Sequence, residues 1–189
     1  MESILFVNAC VRPESRTYEL AQYILSRLNG QVQTVDLNTE HIPILDGAAL
    51  EQRSNHLDRS ELDAPMLRYA RQFAQADTIV IAAPYWDLMF PALLKVYWEA
   101  VTVSGVTFRY NEHGIPVSLC KAKRLIYVTT AGGPIGEYNF GFQYINATAR
   151  GFFGIQDVQC VSAEGLDIIG ADVAAILAGA RARAAELIK

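Results

Sequence analysis

Runs of apolar residues alternate along the chain with stretches where apolar positions recur three and four apart. Residues 3–7 (Ser-Ile-Leu-Phe-Val) are a continuous apolar run of the kind buried on both faces of a parallel sheet. After a polar loop at 8–14, Ser15-Arg16-Thr17 precedes a helical stripe of Tyr18, Leu20, Ala21, Ile24, Leu25 and Leu28, for which Asn29-Gly30 is the expected C-cap. Residues 32–37 alternate like a strand nearer a sheet edge, and residues 38–55, with one proline and no firm period, read as a loop. A helix is predicted over about 59–76, followed by an all-apolar strand at 78–83. The next helix, 90–103, has only Lys95, Glu99 and Thr102 as strongly polar positions, so one narrow stripe faces water and most sides should be covered. Residues 105–116 form a short excursion with a turn at Asn111-Glu112-His113-Gly114. Then come a strand at 124–130, a glycine-rich loop at 131–141, a helix within 142–153, a strand at 158–163 and a helix at 172–188.

Five strands alternating with helices, without repeats or a low-complexity linker, predict one α/β domain across residues 1–189, with three layers built on a five-stranded parallel sheet. In such sheets a ligand sits outside the carboxyl ends of the strands, where the strand order reverses. With the order 2-1-3-4-5, the loops 8–17, 84–91 and 130–141 converge there. The aromatic turn Pro84-Tyr85-Trp86-Asp87-Leu88 therefore falls in the ligand crevice.

Composition narrows the partners. At 51% hydrophobic over 189 residues the chain can bury a sizeable core. Sixteen basic against 20 acidic residues give a net charge of −4, and no basic block interleaved with aromatics is present, so no nucleic-acid partner is expected and a small molecule is. The first residues carry no basic segment, and nowhere do about 18 uncharged apolar residues run together, so no membrane association and a cytoplasmic location are expected. Cys10, Cys120 and Cys160 are widely spaced without a CxxC, which predicts free thiols, the latter two as core residues. His41, His56 and His113 lie in polar surroundings and are expected to be solvated, and no metal-ligand cluster is visible. The dinucleotide GxGxxG, the P-loop and the GxSxG elbow are also absent from the sequence.

Each convergent loop carries a candidate chemistry and an ordinary alternative. Ser15, Arg16 and Thr17 stand where a helix begins, and a helix N-terminus offers free N–H groups to an anion such as phosphate. Ser15 could equally be a simple N-cap. Arg16 is harder to explain that way, because the first helical turn disfavours a cation unless an anion is near. Tyr85 and Trp86 could line a planar ring, or else fill core or a dimer contact. Thr130-Ala131-Gly132-Gly133 allows close backbone approach to a ligand, though Gly-Gly-Pro is also a good turn.

Taken together, APYWDLMFPALLK (83–95), GVTFRYNEHG (105–114), TTAGGP (129–134) and SAEGL (162–166) give the chain a resemblance, from first strand to last helix, to the flavodoxin-like NAD(P)H:quinone oxidoreductase and FMN-dependent azoreductase family. The resemblance implies a flavodoxin-like three-layer sandwich and a homodimer that binds FMN. Ser15, Arg16 and Thr17 match the phosphate loop, with Cys10 where many members have serine. Pro84, Tyr85, Trp86, Asp87 and Leu88 match the segment flanking the isoalloxazine, with Asp87 where a common version has asparagine. Thr130, Ala131, Gly132 and Gly133 match the loop along the pyrimidine edge. The implied activity is ping-pong transfer of hydride from NADH or NADPH, as transient co-substrate, to quinones, azo compounds or free flavin. No catalytic side chain is assigned. Two other classes share the fold: a flavodoxin-type electron carrier and a flavin-free interaction or sensor protein. The carrier would favour a strongly acidic face, which a net charge of −4 does not supply.

Overall fold

The computed structural model describes residues 1–188. Strand β1 (Glu2–Asn8) leads into helix α1 (Arg16–Leu25), whose N-cap Ser15 accepts the Tyr18 N–H on its hydroxyl. The helix stops at Ser26, short of the expected Asn29-Gly30 cap. Gly30 instead opens β2 (Gly30–Asp36), and its reason for being glycine is space. A Cβ there would lie 2.6 Å from the Glu2 carbonyl oxygen and 2.8 Å from Ile4 Cδ1, across the β1–β2 pairing.

The region after β2 departs most from the sequence expectation. Where a loop was expected, Asp36 caps α2 (Leu37–Glu40) and Asp46 caps α3 (Gly47–Asp58). Helix α3 buries none of its residues, so it carries no apolar stripe to read. Nor does a single helix run over 59–76. Arg59 is the C-cap of α3, Ser60 sits at φ 57°, and Pro65 starts a 3₁₀ turn (Pro65–Leu67) ahead of the shorter α4 (Arg68–Gln75). His56 is also not simply solvated, since its Nδ1 lies 2.7 Å from Glu61 Oε2; His41 and His113 are exposed.

Strand β3 (Thr78–Ala82) is wholly buried and is followed, after an aromatic turn, by α5 (Ala92–Val101). The excursion forms an antiparallel pair, β4 (Phe108–Tyr110) and β5 (Pro116–Ser118), whose turn is closed by Asn111 Oδ1 accepting the N–H groups of His113 and Ile115. Strand β6 (Arg124–Thr130), helix α6 (Phe140–Gly151), strand β7 (Asp157–Ala163) and helix α7 (Val173–Leu187) complete the order.

The main sheet is parallel with strand order β2-β1-β3-β6-β7, which is 2-1-3-4-5 once the small hairpin is set aside. Successive strand residues face opposite ways and divide the core into two. Leu5, Val7, Ile79, Ile81, Leu125 and Tyr127 pack under α4, α5 and α6, whereas Ile4, Phe6, Val80, Ala82, Ile126 and Val128 pack under α1 and α7. No described helix is long and apolar enough to cross a membrane.

One buried polar contact ties the first helix to the fourth strand of this order. Thr17, 1% exposed, and Thr130, 9% exposed, share a hydrogen bond of 2.6 Å between their hydroxyls. Deleting one hydroxyl strands the other in a dry site, which costs about 1 to 3 kcal/mol. Thr17→Val should lower the urea-derived stability by about 1–2 kcal/mol, and Thr17→Ser should recover most of it. A valine variant as stable as the parent would show that the pair contributes nothing.

Candidate functional site

The parallel register sets where the loops emerge. Asn8, Ala82 and Val128 are paired neighbours, so β1, β3 and β6 end at nearly one level. The bonding continues past the strands: the Ala9 N–H donates to the Ala82 carbonyl, Ala83 to Val128, Tyr85 to Thr130, and Ala131 to Ala163. Above these ends lies an open cleft of about 230 Å³, lined by Val11, Arg12, Glu14, Ser15, Arg16, Thr17, Pro84, Tyr85, Trp86, Thr130, Ala131, Gly132 and Asp167.

At one end, the first turn of α1 presents the Arg16 and Thr17 N–H groups, which have no acceptor within the helix. The Arg16 guanidinium donates from Nη2 to Asp167 Oδ1 at 2.7 Å and from Nη1 to the Leu166 carbonyl at 3.0 Å. An anion therefore does accompany the cation at this helix start, and here it is a side chain of the protein. The segment bearing Asp167 is stitched to the glycine loop by three backbone bonds: Gly165 N–H to Gly133 O, Leu166 N–H to Ala131 O and Asp167 N–H to Gly132 O. A Cβ on Gly132 would fall 2.3 Å from Asp167 Oδ2, so glycine lets the carboxylate rest where it meets Arg16.

The aromatic turn contributes Pro84, Tyr85 and Trp86 to the cleft lining. Trp86 is 39% exposed, so it is not core filler, and the Tyr85 hydroxyl donates to the Tyr138 carbonyl at 3.1 Å. Trp86 and Met89 exchange two backbone hydrogen bonds, of 3.1 and 2.7 Å, around Asp87 at φ 50° and Leu88 at φ 65°. Two consecutive left-handed residues make a tight hairpin turn. Leucine in that region costs roughly 1–2 kcal/mol. The turn leaves the Asp87 and Leu88 N–H groups, and the glycine loop leaves those of Gly132 and Gly133, without an acceptor among the described residues.

Not every candidate lines the cleft. Asp87, Leu88 and Gly133 are exposed beside it. Cys10 is 7% exposed beneath the first loop, with Sγ 3.8 Å from the Ala82 carbonyl and a neighbouring hollow lined by Asn8 and Asp36. Burial pushes its thiol up to about 11 and those of Cys120 and Cys160 up to about 12. All three cysteines are free, and among the described residues no cluster could hold a metal. Sequence reading missed Val11, Arg12 and Glu14, which belong to the first loop, and above all Asp167, the residue after the SAEGL motif.

The chain matches the flavodoxin-like fold family over residues 2–188. It is 37% identical over 201 residues to the FMN-dependent NADH:quinone oxidoreductase 2 of Clostridium acetobutylicum, covering 100% of this chain and 99% of that protein. To the FMN-dependent NADH:quinone oxidoreductase of Lachnoclostridium phytofermentans it is 37% identical over 184 residues, with 93% and 92% coverage. Among solved structures, an azoreductase from Bacillus anthracis superposes with a TM-score of 0.86 at 26% identity, covering 100% and 99% of the two chains. With a family match and homology running end to end over this sheet and its loops, the chain belongs to the flavodoxin-like family of FMN-dependent NADH:quinone oxidoreductases.

Proposed function

We propose that the protein is an FMN-dependent NAD(P)H oxidoreductase that reduces quinones, azo compounds or free flavin. The observation that carries this reading is one cleft holding three elements a flavin nucleotide requires. These are a cationic helix start for its phosphate, a half-exposed aromatic turn for its ring, and glycine-loop N–H groups for its polar edge. FMN, when bound, would supply the two-electron hydride chemistry that links a nicotinamide to an acceptor in a ping-pong reaction.

The chain's own residues bind and orient. Ser15, Arg16 and Thr17 would hold the phosphate: Arg16 by charge, and Arg16 and Thr17 through their N–H groups at the positive end of α1. Thr17 keeps its hydroxyl on Thr130 and so fixes the phosphate loop relative to the pyrimidine loop. Pro84, Tyr85 and Trp86 would wall the ring, and the free N–H groups of Asp87 and Leu88 beside the cleft would be available to its polar edge. Ala131, Gly132 and Gly133 supply close backbone approach along the pyrimidine side. Cys10 supports the first loop from below. The open aromatic side leaves room for NADH or NADPH and the acceptor to visit in turn.

The same reading makes the protein a homodimer. Leu93, Val96 and Ala100 lie three and four apart on α5 and stay partly or fully exposed, and Val96 and Ala100 continue into a second, apolar cleft with Ile42, Ile44 and Met66. Such a stripe suits the apolar core of a dimer interface. Three free thiols suit a reducing, cytoplasmic setting.

Two measurements test these assignments. Arg16→Ala should weaken FMN binding by about ten- to a hundredfold, the value of a charge-assisted contact to an anion, while leaving riboflavin binding nearly unchanged. Equal weakening of both ligands in a fluorescence titration would remove Arg16 from the phosphate site. Light scattering at low micromolar concentration should give twice the mass of one chain; a monomer with FMN bound would defeat the dimer.

A further inference from the structure

We propose that Asp167 competes with the flavin phosphate for Arg16 and thereby sets how strongly the protein prefers FMN to an unphosphorylated flavin. The inference rests on assigning the Arg16 end of the cleft to the phosphate. Arg16 has two anchors of different kinds. Its Nη1 donates to the Leu166 carbonyl at 3.0 Å, a backbone atom that cannot leave, and its Nη2 donates to Asp167 Oδ1 at 2.7 Å, a side chain that can. The Asp167 side chain is 65% exposed against 34% for Arg16. Rotating the carboxylate into water therefore loses little, while the guanidinium stays held in the cleft.

The backbone keeps this competitor in place. Three hydrogen bonds between residues 165–167 and residues 131–133 fix the Asp167 main chain against the glycine loop. Gly132 has no side chain to push the carboxylate away, and any Cβ there would collide with Oδ2. The carboxylate is thus built into the same cleft wall as Arg16, Ser15 and Thr17. A phosphate approaching Arg16 meets a like charge within reach of the same nitrogen. It either displaces Asp167 or shares the guanidinium with it against repulsion, and both reduce the phosphate's net contribution to affinity.

The test compares FMN with riboflavin, which differ only in the phosphate, by flavin-fluorescence titration of the whole apoprotein. Asp167→Asn keeps the shape and removes the charge. It should tighten FMN by about two- to fivefold, the upper part of the range expected for an exposed ion pair, and leave riboflavin binding unchanged. Asp167→Ala should shift FMN in the same direction, and in an Arg16→Ala background the gain from Asp167→Asn should shrink. Unchanged or weaker FMN binding in both Asp167 variants would overturn the proposal and make Asp167 a positioning residue that holds Arg16 ready. If Arg16→Ala still weakened FMN selectively in that case, the phosphate assignment would stand and only the competition would fall. A parent protein that binds FMN and riboflavin equally would overturn both.

Discussion

The parallel pairing of β1 with β3 and of β3 with β6 is the constraint on which the site depends. Because Asn8, Ala82 and Val128 share one level, three loops from distant parts of the chain emerge side by side. A one-residue slip in any of these pairings would turn every core side chain of that strand to the wrong face. The core is strongly split between its two faces, with Leu5, Val7, Ile79 and Ile81 on one and Ile4, Phe6 and Val80 on the other, so the register has no cheap alternative. Hydrophobic burial thus positions the cleft indirectly, by fixing which residues are last in each strand.

Polar contacts then do the finer placement above the sheet. The Thr17–Thr130 hydroxyl pair sets the first loop against the third, and backbone bonds from residues 165–167 set the segment after β7 against the same loop. The aromatic turn is held differently, by two reciprocal hydrogen bonds between Trp86 and Met89 that force Asp87 and Leu88 into left-handed backbone. Strain of this kind persists only where the surroundings over-determine it, and its product here is a pair of unspent N–H groups beside the cleft.

Much of this was legible in the sequence because it depended on local pattern. Apolar runs and one alternating segment gave the strands, the order 2-1-3-4-5 was that of flavodoxin-like sheets, and the polar or glycine-bearing segments between strands gave the three loops. Ser15 showed itself as a cap, and Arg16 as a cation that a helix start should not tolerate alone. Its partner was not legible, since Asp167 lies 151 positions away and meets it only through the fold. Helix α3 escaped notice because it buries no residue and so has no apolar face. The break after it depended on Ser60 in left-handed backbone and Pro65 opening a 3₁₀ turn, which interrupt a stretch that otherwise reads as helical. Gly30 looked like a helix cap but answers to the carbonyl of Glu2, a constraint visible only once β2 lies beside β1.

The claim that this cleft is a flavin site for two-electron transfer is tested most directly by anaerobic stopped-flow absorbance on the FMN-loaded protein. Addition of NADH or NADPH without an acceptor should bleach the oxidised-flavin band, and subsequent addition of a quinone should restore it. A protein that takes up FMN yet keeps the oxidised band under excess of both nicotinamides would contradict the account.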